Sequence, residues 1–192
     1  MRILAFDGRM GASGDMILAA LLDAGADPDV LEPVTGALEV EYRIDETTKR
    51  GIAATTVDVF LTSDEESDGD GHDHDHHHDQ DDSGHDQDDS GHDHDGSDHN
   101  HDHDGTRAEG HGPHRSYLEV REIVADMDLE PAVERDALAI FELLGEAEAS
   151  VHGEALEEIH FHEVGADDAI ADVVGAAALL RDLEPDRVVT TP

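Results

Sequence analysis

Apolar positions along the first third of the chain switch between strand-like and helix-like spacing. Residues 2–7 form a short apolar run, as a buried strand does, and a glycine-rich loop follows them. Apolar residues then recur every three or four positions up to Gly25, which suits a helix C-terminus, so the sequence predicts a helix. Asp27 and Pro28 are typical of the cap and the first residue of a second, short helix.

Two longer segments, residues 40–45 and 52–62, alternate between apolar and polar positions and are rich in β-branched side chains. This pattern predicts a hairpin or two neighbouring strands. After a change in composition, Ser116 and Glu119 have the spacing of a capping box, which predicts a helix start. Pro131 is predicted to open a longer helix.

The last segments of the chain continue this alternation. Residues 159–164 are a candidate for a short strand, and Asp167 or Asp168 is placed to cap the helix that follows. Residues 188–191 have the composition of a final strand. Because strands alternate with helices, the predicted fold is α/β, with α+β as the alternative.

The segment from residue 63 to residue 114 has a different composition. It consists mainly of Asp, His, Gly, Ser and Gln, and residues 79–85 are repeated as 86–92. The segment has no aliphatic side chain before Ala108, so it has almost nothing whose burial could offset the entropy of ordering it, and we expect it to be disordered. The predicted organisation is an α/β part at 1–62, a His/Asp-rich linker at 63–114 and a second α/β part at 115–192.

Acidic residues outnumber basic residues by 50 to 11, which gives a net charge of −39. Eighteen of the acids lie between Asp64 and Asp104, so the remainder keeps 32 acids against 11 bases, a charge of −21. Ten of the 11 bases are Arg, which favours a protein from a high-salt cytoplasm, where screening relieves self-repulsion. An ordinary acidic protein is the alternative. Nucleic acid and anionic membranes require a basic patch and are not expected as partners.

Cysteine is absent, so any metal site must use histidine and carboxylate side chains. The chain begins without the pattern of a signal peptide, and no apolar run is long enough to span a bilayer. These features predict a cytoplasmic protein.

The loop after the first strand is the first candidate site. Backbone N–H groups and a helix dipole could hold nucleotide phosphates there, and Asp7 or Asp15 could hold a divalent metal. The spacing matches neither a Walker loop nor a dinucleotide fingerprint, and a tight turn that needs glycine explains it equally well. The residues assigned to cofactor binding are Gly11, Ser13 and Gly14.

A second candidate site contains His160 and His162. On a strand both would project from one face, with Phe161 on the other, and paired imidazoles chelate nickel, zinc or copper. Asp168 and Asp172 are four residues apart on one helix face and are assigned as further metal ligands. The alternative is a pair of half-exposed structural histidines beside a capping carboxylate.

Histidines dominate the linker, where 13 of the chain's 16 lie between His72 and His114. This favours a multivalent, weakly selective reservoir of divalent metal over incidental composition. His152, before Gly153, is interpreted as a partner of the helix dipole rather than a ligand. The linker residues assigned as metal ligands are His72, His74, His76, His77 and His78.

Two blocks of the sequence resemble the LarC family of nickel-insertion proteins. The first is Phe6-Asp7 with Gly11-x-Ser13-Gly14-Asp15-Met16, and the second is H-F-H-E-V-G-A at 160–166 followed by D-x-I-x-D-x-V-G at 168–175. A His-rich stretch between the blocks is also typical of that family. The similarity corresponds to the family's N-terminal half, so we expect the chain to stop before a C-terminal domain.

The resemblance implies a lyase that inserts Ni²⁺ into pyridinium-3,5-bisthiocarboxylic acid mononucleotide and gives the nickel-pincer cofactor, using CTP with Mg²⁺ or Mn²⁺. Expected partners are that mononucleotide, the missing C-terminal half or a separate C-terminal subunit, and a second copy of the chain in a homo-oligomer. Asp7, Asp15 and Glu163 are assigned catalytic roles. One alternative is a nickel metallochaperone or storage protein that catalyses nothing, and another is an unrelated phosphate-handling enzyme with a metal-buffering tail.

Overall fold

The structure is a computed structural model that describes residues 1–9, 11–62, 115–162 and 164–191. The predicted disorder of residues 63–114 lies outside the described residues. Helices and strands are mixed along the chain, which confirms the α/β class. In chain order the elements are β1 (Ile3–Phe6), α1 (Gly14–Asp23), α2 (Glu32–Leu38), β2 (Val40–Lys49), β3 (Ile52–Leu61), α3 (Tyr117–Asp126), α4 (Pro131–His152), α5 (Asp167–Asp182) and β4 (Arg187–Thr190).

The strands form two separate pairs. β2 and β3 are antiparallel, and their register runs from Val40 opposite Leu61 to Lys49 opposite Ile52. The turn between them contains only Arg50 and Gly51, with φ angles of 54° and 80°. Two consecutive residues with positive φ are typical of the tight hairpin turn, so the hairpin alternative is confirmed.

The other strand pair joins the two ends of the described chain. β1 and β4 are parallel, with Ile3 opposite Arg187 and Phe6 opposite Thr190. The loop that follows β1 is therefore fixed at its base by the last strand.

Helix α5 lies at the centre of the packing, against α1, α2 and α4. Ile170, Val174 and Leu179 are fully buried on it. Gly175 allows a close approach, since a Cβ atom there would lie 2.9 Å from Tyr42 Oη and 3.1 Å from Leu18 Cδ2. The apolar face of α5 thus positions both the first helix and the hairpin.

The N-cap residues seen in the structure can be compared with those predicted from the sequence. Ser116 and Glu119 form both hydrogen bonds of the capping box, as predicted. Asp27 accepts a hydrogen bond from the Asp29 N–H and caps a 3₁₀ turn at Pro28–Leu31 that leads into α2, which confirms it as a cap. The capping role predicted for Asp167 or Asp168 is wrong, because α5 begins at Asp167 and its N-cap is Ala166.

The strand predicted at residues 159–164 is also wrong. Within the described residues, this segment makes a single antiparallel bridge, between His160 and Ser116. A 3₁₀ turn at Leu156–Glu158 precedes it, and α5 follows closely. None of the described helices combines the length and apolarity that a membrane span requires.

Candidate functional site

A cavity of about 290 Å³ opens where α1 and α5 begin beside the middle of β3. Two segments of the candidate sites meet there, the glycine-rich loop and the paired aspartates of α5. Four carboxylates and no Arg or Lys are found among the described residues that line it. These lining residues are Ser13, Gly14, Asp15, Val57, Asp58, Val59, Asp168 and Asp172.

The contact between α1 and α5 fixes one wall of this acidic cavity. A Cβ atom at Gly14 would lie 2.0 Å from Asp172 Oδ2 and 2.6 Å from Asp172 Cβ, so a side chain at position 14 does not fit. The first turn of α1 is thereby held against the turn of α5 that carries Asp172. Asp168 and Asp172 lie on the same side of α5, as their spacing predicts.

Tyr42 supports the same turn of α5 from the hairpin. Its hydroxyl donates a hydrogen bond of 2.7 Å to the backbone oxygen of Ala171. Burial, and secondly the nearby Asp172 carboxylate, raise the pKa of the Tyr42 hydroxyl, since both disfavour a phenolate. Tyr42 is therefore a neutral donor that positions Ala171 and its neighbour Asp172.

The start of α1 carries the residues predicted to bind phosphate. Ser13 is the N-cap residue of α1, although its side chain makes no capping hydrogen bond. Gly11 has a φ of 86° and donates its N–H to the Gly8 oxygen, so this glycine is required by a turn. Ser13 and Gly14 line the acidic cavity, whereas Gly11 does not appear among its described lining residues.

Asp7 is placed differently from Asp15. Its carboxylate accepts hydrogen bonds from Arg9 Nε at 2.8 Å and Nη2 at 2.6 Å, on an exposed surface. The pKa of Asp7 is lowered, mainly by this contact with the Arg9 side chain and secondly by a hydrogen bond from the Arg9 backbone N–H. Asp15 lines the acidic cavity and Asp7 is not among its described lining residues, so the structure does not bring these two predicted carboxylates to the same site.

The segment after α4 is anchored to the start of α3. Arg115 forms an ion pair of 2.7 Å with Asp167 and donates to the Gly165 oxygen at 2.8 Å, and both charged side chains are mostly buried. The Phe161 N–H bonds to the Arg115 oxygen, and the Phe161 ring is fully buried. The backbone position of His162, next in sequence, is therefore fixed by the hydrogen bond and the buried ring of Phe161.

His160 and His162 are not paired by a strand. His160 Nδ1 lies 3.3 Å from the Glu158 backbone oxygen. His162 Nδ1 lies 2.9 Å from Glu148 Oε1, and His152 Nε2 lies 3.7 Å from the same oxygen. Glu148, His152 and His162 thus offer ligand atoms that all lie within 4.8 Å of one another. We call this group the α4 cluster.

The sequence prediction found one member of the α4 cluster and missed two. Glu148 and His152 are four residues apart, on one face of α4, and that spacing was a usable signal. Their proximity to His162 depends on how the loop folds back, which no local pattern shows. Among the remaining assignments, Glu163 and the linker ligands His72, His74, His76, His77 and His78 lie outside the described residues.

Comparison with known proteins gives a consistent set of relatives. A family model described as nickel insertion protein matches residues 4–192. A pyridinium-3,5-bisthiocarboxylic acid mononucleotide nickel insertion protein from Akkermansia muciniphila is 38% identical over 196 residues, which cover 100% of this chain and 39% of that protein. A protein of the same name from Clostridium kluyveri is 35% identical over 201 residues, covering 100% and 40%. The chain therefore spans about two fifths of the length of these curated relatives. No solved structure matches it.

Proposed function

This chain belongs to the nickel insertion protein family, and from that premise we propose that it supplies the ion-binding part of a protein that inserts Ni²⁺ into pyridinium-3,5-bisthiocarboxylic acid mononucleotide. The acidic cavity is the observation that carries this proposal. Asp15 and Asp168 line it at the starts of two helices and Asp172 one turn further along α5, and carboxylate oxygens bind divalent cations.

The acidic cavity combines two opposite electrostatic features. Four carboxylates attract a cation, while the N-termini of α1 and α5 attract an anion. A phosphate group bound together with a divalent ion satisfies both features, as in sites where one or two carboxylates and substrate phosphates share Mg²⁺. We therefore propose that this cavity receives a nucleotide phosphate with its divalent metal; the resemblance to the LarC family implies that the nucleotide is CTP, with Mg²⁺ or Mn²⁺.

Ligand chemistry gives the insertion step its direction. Oxygen ligands suit hard cations, and sulfur ligands favour softer metals. Nickel bound by oxygen ligands is thus held weakly compared with nickel bound by the sulfur of a thiocarboxylate. Transfer from this chain to the mononucleotide is favourable without any thiol of the protein, which fits a chain that contains no cysteine.

The test is an insertion assay with Ni²⁺ and the mononucleotide, with and without CTP and Mg²⁺. The chain is assayed alone and together with the part of the Akkermansia muciniphila relative that it does not span. Mass spectrometry of the small-molecule fraction measures nickel-loaded mononucleotide. Asp172→Asn is expected to lower the yield at least about tenfold, by analogy with the loss of supporting metal-site groups. Asp136→Asn, on the exposed surface of α4, is the matched control and is expected to act as the unaltered chain.

Two results would contradict the proposal. Equal yields for the Asp172→Asn and Asp136→Asn variants would remove the acidic cavity from the reaction. Nickel binding without any nickel-loaded mononucleotide, even with the added polypeptide, would favour the storage or metallochaperone alternative.

A further inference from the structure

We propose that the α4 cluster, Glu148, His152 and His162, is an exchangeable binding site for a divalent transition metal. None of the three residues is among the described residues that line the acidic cavity. The proposal rests on their own geometry and does not depend on the proposed function.

The separations within the α4 cluster suit coordination of one ion. Two ligand atoms that each lie about 2.1 Å from an ion, at angles of roughly 90–109°, are about 3.0–3.4 Å apart. Glu148 Oε1 lies 2.9 Å from His162 Nδ1 and 3.7 Å from His152 Nε2. The two histidine ligand atoms lie within 4.8 Å of each other, so side-chain rotations that shorten this separation would place all three atoms around a common centre.

The framework of the α4 cluster is fixed before any ion arrives. Glu148 and His152 project from successive turns of α4, one of which ends the helix. The loop that carries His162 is held by the buried Phe161 ring, which packs at 6.3 Å and 6.4 Å between ring centroids against Phe141 and Tyr117. A preorganised set of ligands loses little side-chain entropy when it binds a metal.

The chemistry of the ligands selects the class of metal. Two imidazoles and one carboxylate suit nickel, zinc, cobalt and copper better than magnesium or calcium, which prefer oxygen ligands alone. The side chains of His152 and His162 are 45% and 68% exposed, and three protein ligands leave positions open to water or another donor. The α4 cluster is thus built for acquiring and releasing an ion rather than for holding a permanent structural one.

The experiment uses the full chain and a local readout, because 13 further histidines between His72 and His114 would hide one site in any bulk binding measurement. Ni²⁺ is titrated into ¹⁵N-labelled protein, and paramagnetic broadening of amide signals is followed at residues 148–152 and at His162. We expect broadening there at substoichiometric to stoichiometric nickel. His152→Ala and His162→Ala are each expected to weaken the local response at least about tenfold in nickel concentration.

Two matched controls separate the α4 cluster from its neighbours. His160→Ala removes an exposed imidazole two positions from His162 and is expected to leave the local response unchanged. Glu146→Gln is expected to do the same, whereas Glu148→Gln weakens it. Circular dichroism checks that each variant is folded.

Three outcomes would overturn the proposal. The first is the absence of local broadening in the unaltered chain, which would leave Glu148 as the hydrogen-bond partner of His162 and an ion-pair contact of His152. The second is broadening that persists in both the His152→Ala and His162→Ala variants. The third is a His160→Ala variant that loses the response, which would return the site to the His160–His162 pair.

Discussion

Replacement of Gly14 by Ala tests the contact that forms the wall of the acidic cavity. The φ of Gly14 is not positive, so alanine is compatible with the backbone of this first helical residue. The added Cβ would nevertheless lie 2.0 Å from Asp172 Oδ2, 2.5 Å from Cγ and 2.6 Å from Cβ. Rotation of the Asp172 side chain relieves the first two contacts but does not move its Cβ atom. The start of α1 must therefore shift away from α5.

The size of the effect follows from this forced backbone shift. Overpacking of a close contact costs about 1–3 kcal/mol, and a small shift of one helix start corresponds to the middle of that range. We expect Gly14→Ala to lower the free energy of unfolding by about 2 kcal/mol. For a domain of this size, that corresponds to a fall in Tm of roughly 4–8 °C.

Urea denaturation followed by far-UV circular dichroism measures the change, with Gly36→Ala as the matched control. Gly36 is an exposed residue within α2, and an added Cβ would meet nothing within 4 Å. Alanine there should raise stability by about 0.8–1 kcal/mol because of its higher helix propensity. If Gly14→Ala is as stable as the unaltered chain, or gains stability as Gly36→Ala does, the close contact between α1 and α5 is refuted.

Three further predictions concern the hairpin, a helix cap and the net charge. Tyr42→Phe loses the hydrogen bond to Ala171 and should cost about 1 kcal/mol in urea denaturation. Because the folded-state pKa of Tyr42 is raised, its hydroxyl is protonated in both the folded and the unfolded state below about pH 10. Above that pH the unfolded state ionises first, so the free energy of unfolding falls. The Tyr42→Phe variant should lose less stability above about pH 10, and a loss equal to that of the unaltered chain would contradict this prediction. Ser116→Ala should cost about 1 kcal/mol and, since Ser116 lowers the pKa of Glu119, should raise that pKa in an NMR titration. The ellipticity at 222 nm should become more negative along a salt series, because screening relieves the repulsion of a chain with a charge of −39. A chain that is fully folded in dilute buffer would argue against adaptation to high salt.

Local signals in the sequence predicted the helices well and one strand wrongly. The capping box at Ser116, the proline at the start of α4 and the cap at Asp27 each act within a few residues, so they can be read without knowing the fold. Residues 159–164 have the composition of a strand, but they find only one bridging partner, at Ser116. Pairing between distant segments decided that outcome, and composition does not report it.

The candidate site was predictable where it depends on local spacing and was missed where it depends on contacts between distant segments. Asp168 and Asp172 were placed on one face of a helix by their spacing, and both line the acidic cavity. The helix-dipole interpretation of His152 follows from its place at a helix end, before Gly153, and it leaves aside the four-residue spacing from Glu148. Its proximity to His162 results from the Arg115–Asp167 ion pair and the burial of Phe161, which act across the fold.

The pairing of β1 with β4 has a consequence for how the chain tolerates change. The hydrogen bond from the Arg2 N–H to Asp186 closes a loop of 184 positions that contains residues 63–114. Loop-closure entropy grows only with the logarithm of length, so extending this loop from about 130 to about 180 residues costs about 0.3 kcal/mol. The length and sequence of the histidine-rich segment can therefore change with little effect on the free energy of pairing β1 with β4.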